Sequence, residues 1–126
     1  MKTLLALLFS ILCGTEAYGQ TWSLISRDGD TNAIYLDEDS LELDRGRRRI
    51  SVLGSYSEAT STGAMSVLLR VEFDCGMEQW RSMYYVEFAE PMAKGAETFQ
   101  DRNVTRWFLI ERGSVEEYTF LLLCGA

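Results

Sequence analysis

The clearest chemical cluster in the sequence is a run of four arginines around one glycine, in a chain whose formal net charge is −7. Guanidinium groups form paired hydrogen bonds with the oxygens of carboxylates, sulfates and phosphates. The run follows Asp44 in a pattern typical of a hairpin turn, which would bring the guanidinium groups together at its tip. We therefore predict a docking site for a sulfated glycan, a lipid phosphate or an acidic segment of a partner. The alternative is a charged sheet edge that prevents aggregation. The candidate ligand-binding arginines are Arg45, Arg47, Arg48 and Arg49.

Catalytic chemistry has little support in this sequence. The chain contains no histidine, so neither a histidine-based catalytic triad nor a histidine metal site can be built. Carboxylates are paired at Asp37 with Asp39 and at Glu116 with Glu117, but any acidic protein has such pairs, and a glycosidase pair also needs a cleft. We predict a protein that is not an enzyme and that has no cofactor.

A calcium loop is suggested by the spacing of Asp28, Asp30 and Asn32, with Asp39 further along. The sixth position of such a loop requires glycine for its sharp turn, and here it is Ala33. The flanking residues also have the composition of strands. We interpret the segment as a solvated turn and predict no metal site.

The first 19 residues have the three-part layout of a secretory signal peptide. A lysine precedes an apolar stretch of about ten residues, roughly half the length of a membrane-spanning helix. Small and polar residues follow, and cleavage is expected between Gly19 and Gln20. A buried N-terminal helix is one alternative. Lipidation of Cys13 is another, but it needs a small residue before the cysteine, where this chain has Leu12.

Export makes the remaining cysteines informative. Once the signal peptide is removed, Cys75 and Cys124 remain, and exported proteins usually pair an even number of cysteines. We predict a disulfide between them, which would stabilise the fold by about 4 kcal/mol through chain entropy. Two unrelated buried thiols are the alternative.

Strands are predicted wherever apolar residues alternate with polar ones. The clearest is 65–75. One face of this strand carries Val67, Leu69, Val71, Phe73 and Cys75, and the other carries Arg70, Glu72 and Asp74. In 80–89, the residues expected to face the core are Trp80, Tyr84, Val86 and Phe88. Further strands are predicted at 21–27, 33–37, 40–44, 47–56 and 104–110, with an acidic kink at 38–39, a polar loop at 57–64 and a long connection at 90–103.

The C-terminal segment 115–124 has the signals of a helix. Ser114 followed by Glu117 is a capping-box pattern, acidic residues occupy the first turn, and Gly125 ends the segment. A last strand is the alternative. A membrane anchor is disfavoured because the apolar run has only about seven residues.

These elements predict one α+β domain at residues 20–126. It consists of an antiparallel β-sheet of about five to six strands, with the C-terminal helix packed on it and one disulfide. The net negative charge disfavours binding to nucleic acid or to anionic membranes. We predict no membrane span.

The order of short motifs resembles the surface-adhesin protein E family of Gram-negative bacteria. The resemblance covers nearly the whole chain after the signal peptide. The residues that carry it are Trp22, Tyr35, Asp37, Ser40, Cys75, Arg81, Tyr84, Gly95, Trp107, Ser114 and Cys124.

The resemblance implies a small exported protein with an antiparallel sheet, a C-terminal helix and a disulfide. It also implies binding to host matrix proteins such as vitronectin or laminin, and a possible homodimer. The strand pattern places Tyr85 and Met83 outward, and Tyr85 joins the four arginines as a candidate ligand contact. A soluble periplasmic accessory protein or inhibitor of unknown partner remains the second hypothesis.

Overall fold

The structure, a computed structural model, describes residues 21–28 and 32–125. Within these ranges the chain forms seven β-strands and one α-helix. The strands make a single antiparallel sheet in the order β1-β2-β3-β4-β5-β6, and the short β7 pairs with the first residues of β5. The predicted α+β fold is confirmed. The elements are β1 Trp22–Asp28, β2 Asn32–Asp44, β3 Arg47–Tyr56, β4 Ser66–Asp74, β5 Gln79–Glu90, β6 Lys94–Asp101, β7 Phe108–Leu109 and α1 Val115–Cys124.

One face of the sheet, which we call the helix face, carries the apolar cluster on which the helix packs. Leu53 and Val86 are buried on the opposite face. Side chains alternate across a strand, so Ile50 on β3 and Val71 on β4 point to the same side in register. Helix α1 packs there through Phe120, which lies 6.3 Å from the Phe73 ring. The buried members of this core are Leu36, Ile50, Val71, Phe73 and Phe120.

Helix α1 begins and ends where the sequence predicts. The Ser114 hydroxyl accepts a hydrogen bond from the Glu117 amide at 3.1 Å, which satisfies one of the free amides at the helix start. Gly125 follows the last helical residue with φ 79°, a left-handed conformation that favours glycine. The predicted disulfide is present, and the Cα atoms of Cys75 and Cys124 are 5.5 Å apart. It ties the end of the helix to the end of β4.

The predicted acidic kink in β2 is a β-bulge between Asp37 and Glu42. Ser40 replaces hydrogen bonds that the bulge removes from the β2–β3 backbone pairing. Its hydroxyl accepts a hydrogen bond from the Ser51 amide at 2.8 Å and donates one to the Asp37 carbonyl at 2.6 Å. The sequence motif of Asp37 and Ser40 therefore has a structural role.

The prediction that one parity of β5 faces the core throughout is wrong. The register between β4 and β5 shifts at Met83, where Tyr84 lies opposite Arg70 but Ser82 lies opposite Val71. A β-bulge of this kind moves every later side chain to the other face. Trp80 therefore packs against the helix-face core, whereas Tyr84, Val86 and Phe88 point to the opposite face.

Two further strand predictions need correction. The long connection expected at 90–103 is largely strand β6, whose residues are exposed along most of its length and so show no apolar alternation. Its strand conformation comes from backbone pairing with β5. The buried strand expected at 104–110 is reduced to the two residues of β7. The residues before it are not in a strand, and Thr105 is held to β5 by hydrogen bonds with Ser82.

Several predictions fall outside the described residues. They are the signal peptide at 1–19 with its cleavage site, lipidation of Cys13, and Asp30 of the suggested calcium loop.

Candidate functional site

The arginine run lies where the sequence predicts, on the hairpin between β2 and β3. Asp44 pairs with Arg47, so Arg45 and Gly46 form the turn. Arg45 has φ 58°, a left-handed conformation that is costly for a residue with a side chain. Alternation along β3 then separates the next residues: Arg47 and Arg49 point away from the helix face, and Arg48 shares the parity of the core residues.

Arg47 and Arg49 meet a buried carboxylate on the face opposite the helix, which we call the arginine face. The side chain of Glu72 on β4 is 0% exposed. One of its oxygens accepts from Arg49 Nε at 2.5 Å, and the other accepts from Arg81 Nε at 2.9 Å and lies 2.7 Å from Arg81 Nη2. Arg47 Nη1 is more distant, at 3.7 Å. Two guanidinium groups therefore clasp one carboxylate, and a third lies beside them.

These contacts decide the ionisation of Glu72. Burial alone would raise its pKa, but hydrogen bonds from Arg49 and Arg81, together with their charges, outweigh burial and hold the pKa below its ordinary value. The hydrogen bond to Glu72 and its negative charge in turn raise the pKa of the Arg49 guanidinium. Glu72 is therefore a carboxylate at neutral pH.

Trp107 packs against the same cluster. Its ring lies 4.2 Å from the Arg81 guanidinium carbon and 5.2 Å from that of Arg47. Both distances are within the range of cation–π attraction. The segment that carries Trp107 is fixed to β5, because the Thr105 amide donates to the Ser82 carbonyl at 2.9 Å and the Ser82 amide donates to the Thr105 hydroxyl at 3.0 Å.

Further carboxylates surround the cluster. Arg49 lies 3.5 Å from Asp44 and 3.7 Å from Glu42, and Arg70 lies 2.9 Å from Glu42. The arginine face thus brings four guanidinium groups into contact with three carboxylates. Within this cluster the three carboxylates offset most of the charge of these four guanidinium groups, but of the arginine run only Arg47 and Arg49 take part.

The five residues predicted to contact a ligand lie in different places and have different contacts in the structure. Arg47 and Arg49 belong to the Glu72 cluster, although the Arg47 side chain is 43% exposed. Arg48 donates to the carbonyls of Arg45 and Arg47 at 2.8 and 3.0 Å, and Arg45 is exposed at the turn. Tyr85 is not part of this group. It is half-buried on the helix face, where the centroid of its ring lies 5.7 Å from that of Phe99.

Sequence reasoning missed three participants in the cluster: Glu72, Arg81 and Trp107. A signal for the first two did exist. Glu72 and Arg81 are paired across the β4–β5 hairpin, and counting outward from the turn at 75–78 would have placed them opposite each other. No local signal places Trp107, because its segment reaches the cluster through the irregular chain after β6.

In the part of the chain that the structure describes, no group of three or more histidine, cysteine or acidic residues could hold a metal ion. No helix among the described residues is long and apolar enough to cross a membrane.

Comparisons with solved structures identify the same fold in protein E of Haemophilus influenzae. One crystal structure, of the protein from a non-typeable strain, has a TM-score of 0.62 at 12% identity and covers 80% of this chain and 74% of that chain. A second crystal form has a TM-score of 0.58 at 13% identity and covers 72% and 79%. A selenomethionine form has a TM-score of 0.60 at 9% identity and covers 81% and 92%. At such low identity the likeness shows the fold alone.

A comparison of the sequence with known families identifies the family. No curated protein gives a significant match. The sequence profile of the family described as surface-adhesin protein E, however, matches residues 22–125, which include every described strand and the helix. The chain therefore belongs to the surface-adhesin protein E family.

Proposed function

We propose that this protein is an exported, non-catalytic surface adhesin that binds a protein ligand outside the cell through the tip of the β2–β3 hairpin. The family match over residues 22–125 is the observation that carries the proposal. The positive charge at the hairpin tip supports it, because an acidic or sulfated region of a matrix protein such as vitronectin or laminin would be attracted there.

Arg45 and Arg47 are the proposed ligand contacts. Arg45 is exposed at the turn, and the Arg47 side chain is 43% exposed with its Glu72 contact at 3.7 Å. Arg49 is only 28% exposed and contacts three carboxylates. A ligand oxyanion can therefore reach Arg45 and Arg47 without displacing an internal hydrogen bond of Glu72.

A binding experiment with matched variants tests the proposal. Arg45→Gly together with Arg47→Ala removes both contacts, and the glycine suits the left-handed backbone at position 45. We expect this double variant to lose about tenfold or more in affinity for immobilised vitronectin or laminin, as for removal of charged contacts in an interface. Arg112→Ala removes one charge from an exposed site elsewhere and should bind like the wild type.

The salt dependence of the same experiment checks the mechanism. Binding through exposed arginines should weaken as ionic strength rises, because salt screens exposed charges. If the double variant binds as tightly as Arg112→Ala, or if the wild type binds neither protein at micromolar concentration, the proposed contact surface is wrong.

Location in the cell distinguishes adhesion from the periplasmic hypothesis. We expect protease added to intact cells to digest the protein and the mature N-terminus to begin at Gln20. Full protection from the protease would favour a periplasmic accessory role instead.

A further inference from the structure

The helix face of the sheet is larger than the helix that packs on it. Helix α1 has 10 residues, so it is about 15 Å long. Strand β3 also has 10 residues but extends over about 33 Å, and six strands side by side span about 24 Å. One short helix can therefore cover only part of this face.

The uncovered part is an apolar groove of about 470 Å³ beside the N-terminal half of α1. Val52, Val67 and Leu69 form much of its floor, and all three are only half-buried. Gly54 deepens it, since an added Cβ there would lie 3.2 Å from the Tyr56 hydroxyl and 3.3 Å from Val67 Cγ1. The volume is in the range of protein ligand sites.

The charge at the groove is negative. Among the described residues that line it, Glu116 is the charged side chain, and no lysine or arginine is present. Glu87 lies opposite Val67 in the sheet register and so is on the same face. Burial raises the pKa of the Tyr56 hydroxyl, and the nearby Glu87 charge raises it further. Tyr56 is thus a neutral hydrogen-bond donor in a negative environment.

The polar groups at the rim suit a polypeptide. The groove is open to solvent, and its lining includes the amide of Asn32 and the hydroxyls of Ser26 and Tyr56. Such groups can hydrogen-bond to the backbone of a peptide that lies along the groove. An anionic ligand would have to approach Glu116 and Glu87, which are of like charge.

We propose that this groove is a second docking site, which binds an apolar segment of a partner polypeptide that carries a lysine or arginine beside its apolar side chains. The groove lies on the opposite face from Arg47 and Glu72. The hairpin-tip proposal and this one therefore rest on different residues and opposite charges, and either can fail without the other.

The test uses short fluorescent peptides and the purified protein with its disulfide intact. One peptide has an apolar core between two lysines, a second has the same core between two glutamates, and a third has a serine core between two lysines. Fluorescence anisotropy should show the apolar lysine peptide binding about tenfold or more tightly than the glutamate peptide, and the serine peptide not binding. Absence of lysine-peptide binding up to millimolar protein, or equal affinity for both apolar peptides, would overturn the proposal.

Variants locate the site. Glu116→Lys should reverse the preference between the two apolar peptides, whereas Glu97→Lys, at an exposed position on β6, should keep it. Val67→Asn should weaken the lysine peptide about tenfold through loss of apolar contact, and Leu24→Asn, at an exposed apolar site elsewhere, should not. If Glu116→Lys fails to fold, Glu116→Gln should still reduce the preference. Unchanged binding in Val67→Asn would place the peptide elsewhere and overturn the proposal.

Discussion

The two faces of the central sheet are stabilised in different ways. On the helix face, apolar side chains such as Phe73 and Phe120 pack together, and a disulfide fastens the helix to β4. On the arginine face, the fully buried carboxylate of Glu72 is held by the guanidinium groups of Arg49 and Arg81. The first arrangement contains no titrating group, whereas the second depends on ionisation. Substitutions on the two faces should therefore lower the free energy of unfolding by different amounts, and these losses should depend differently on pH.

Removal of the disulfide is expected to have the largest effect. Cys75→Ser together with Cys124→Ser removes the cross-link between two positions that are 49 residues apart, so the unfolded chain gains conformational entropy. The free energy of unfolding should fall by about 4 kcal/mol, measured by urea unfolding at neutral pH. Wild-type protein in excess reductant should match the double variant, and a loss below about 1 kcal/mol would show that helix packing alone stabilises this face.

Loss of the buried carboxylate is the corresponding change on the arginine face. Glu72→Gln leaves the guanidinium groups of Arg49 and Arg81 without their anion, and we expect the free energy of unfolding to fall by about 3 kcal/mol. This is the low end for a buried ion pair, because both arginines retain some exposure to water. Glu97→Gln, at an exposed position on β6, should change stability by no more than about 0.5 kcal/mol. Equal effects of the two variants would contradict a structural role for Glu72.

The pH dependence of stability should separate the faces. The native pKa of Glu72 is lowered, so its contribution is fully present above the unfolded-state pKa, near 4.3, and is lost as pH falls through the native value. The stability difference between wild type and Glu72→Gln should therefore be constant from neutral pH to about pH 5 and shrink below about pH 4. Urea unfolding of both proteins across this range measures it. The difference in unfolding free energy between the wild type and the disulfide-free variant should not shrink in this way as pH falls.

A smaller effect is expected at the bulge of β2. Ser40→Ala leaves the amide of the buried Ser51 without its acceptor, which should cost about 1–2 kcal/mol of unfolding free energy. Ser57→Ala, in the exposed loop after β3, is the matched control and should be nearly neutral. A neutral Ser40→Ala would mean that the bulge is stable without its side-chain hydrogen bond.

The helix face could be predicted in detail because its signals are local. Ser114 and Glu117 lie three residues apart and meet within one helical turn. The alternation of apolar residues along β4 identified the face that the helix covers. The pairing of Cys75 with Cys124 followed from the predicted signal peptide and from there being no other cysteine after residue 19. None of these inferences required knowledge of strand register.

The arginine face could not be predicted in the same way. Arg49 and Glu72 are 23 positions apart, and Arg81 is a further 9 positions away, so their meeting depends on the register of two hairpins. The bulge at Met83 also moved the later residues of β5, including Tyr84, to the face opposite from the one predicted. Strand β6 was missed because its exposed sequence has no apolar period, and its conformation is imposed by the neighbouring strand.

The amino-acid sequence by itself determined the fold class, the boundaries of the C-terminal helix, the disulfide and the concentration of arginines at one hairpin. These features arise from backbone periodicity, helix capping and cysteine chemistry, which act over short distances or need only a count. Tertiary structure alone decided that Glu72 pairs with Arg49 and Arg81, that Arg45 and Arg47 stay accessible, and that an apolar groove with an acidic residue at its edge remains beside the helix. Such features depend on which strands pair and in which register, and on how little of a wide sheet one short helix can cover.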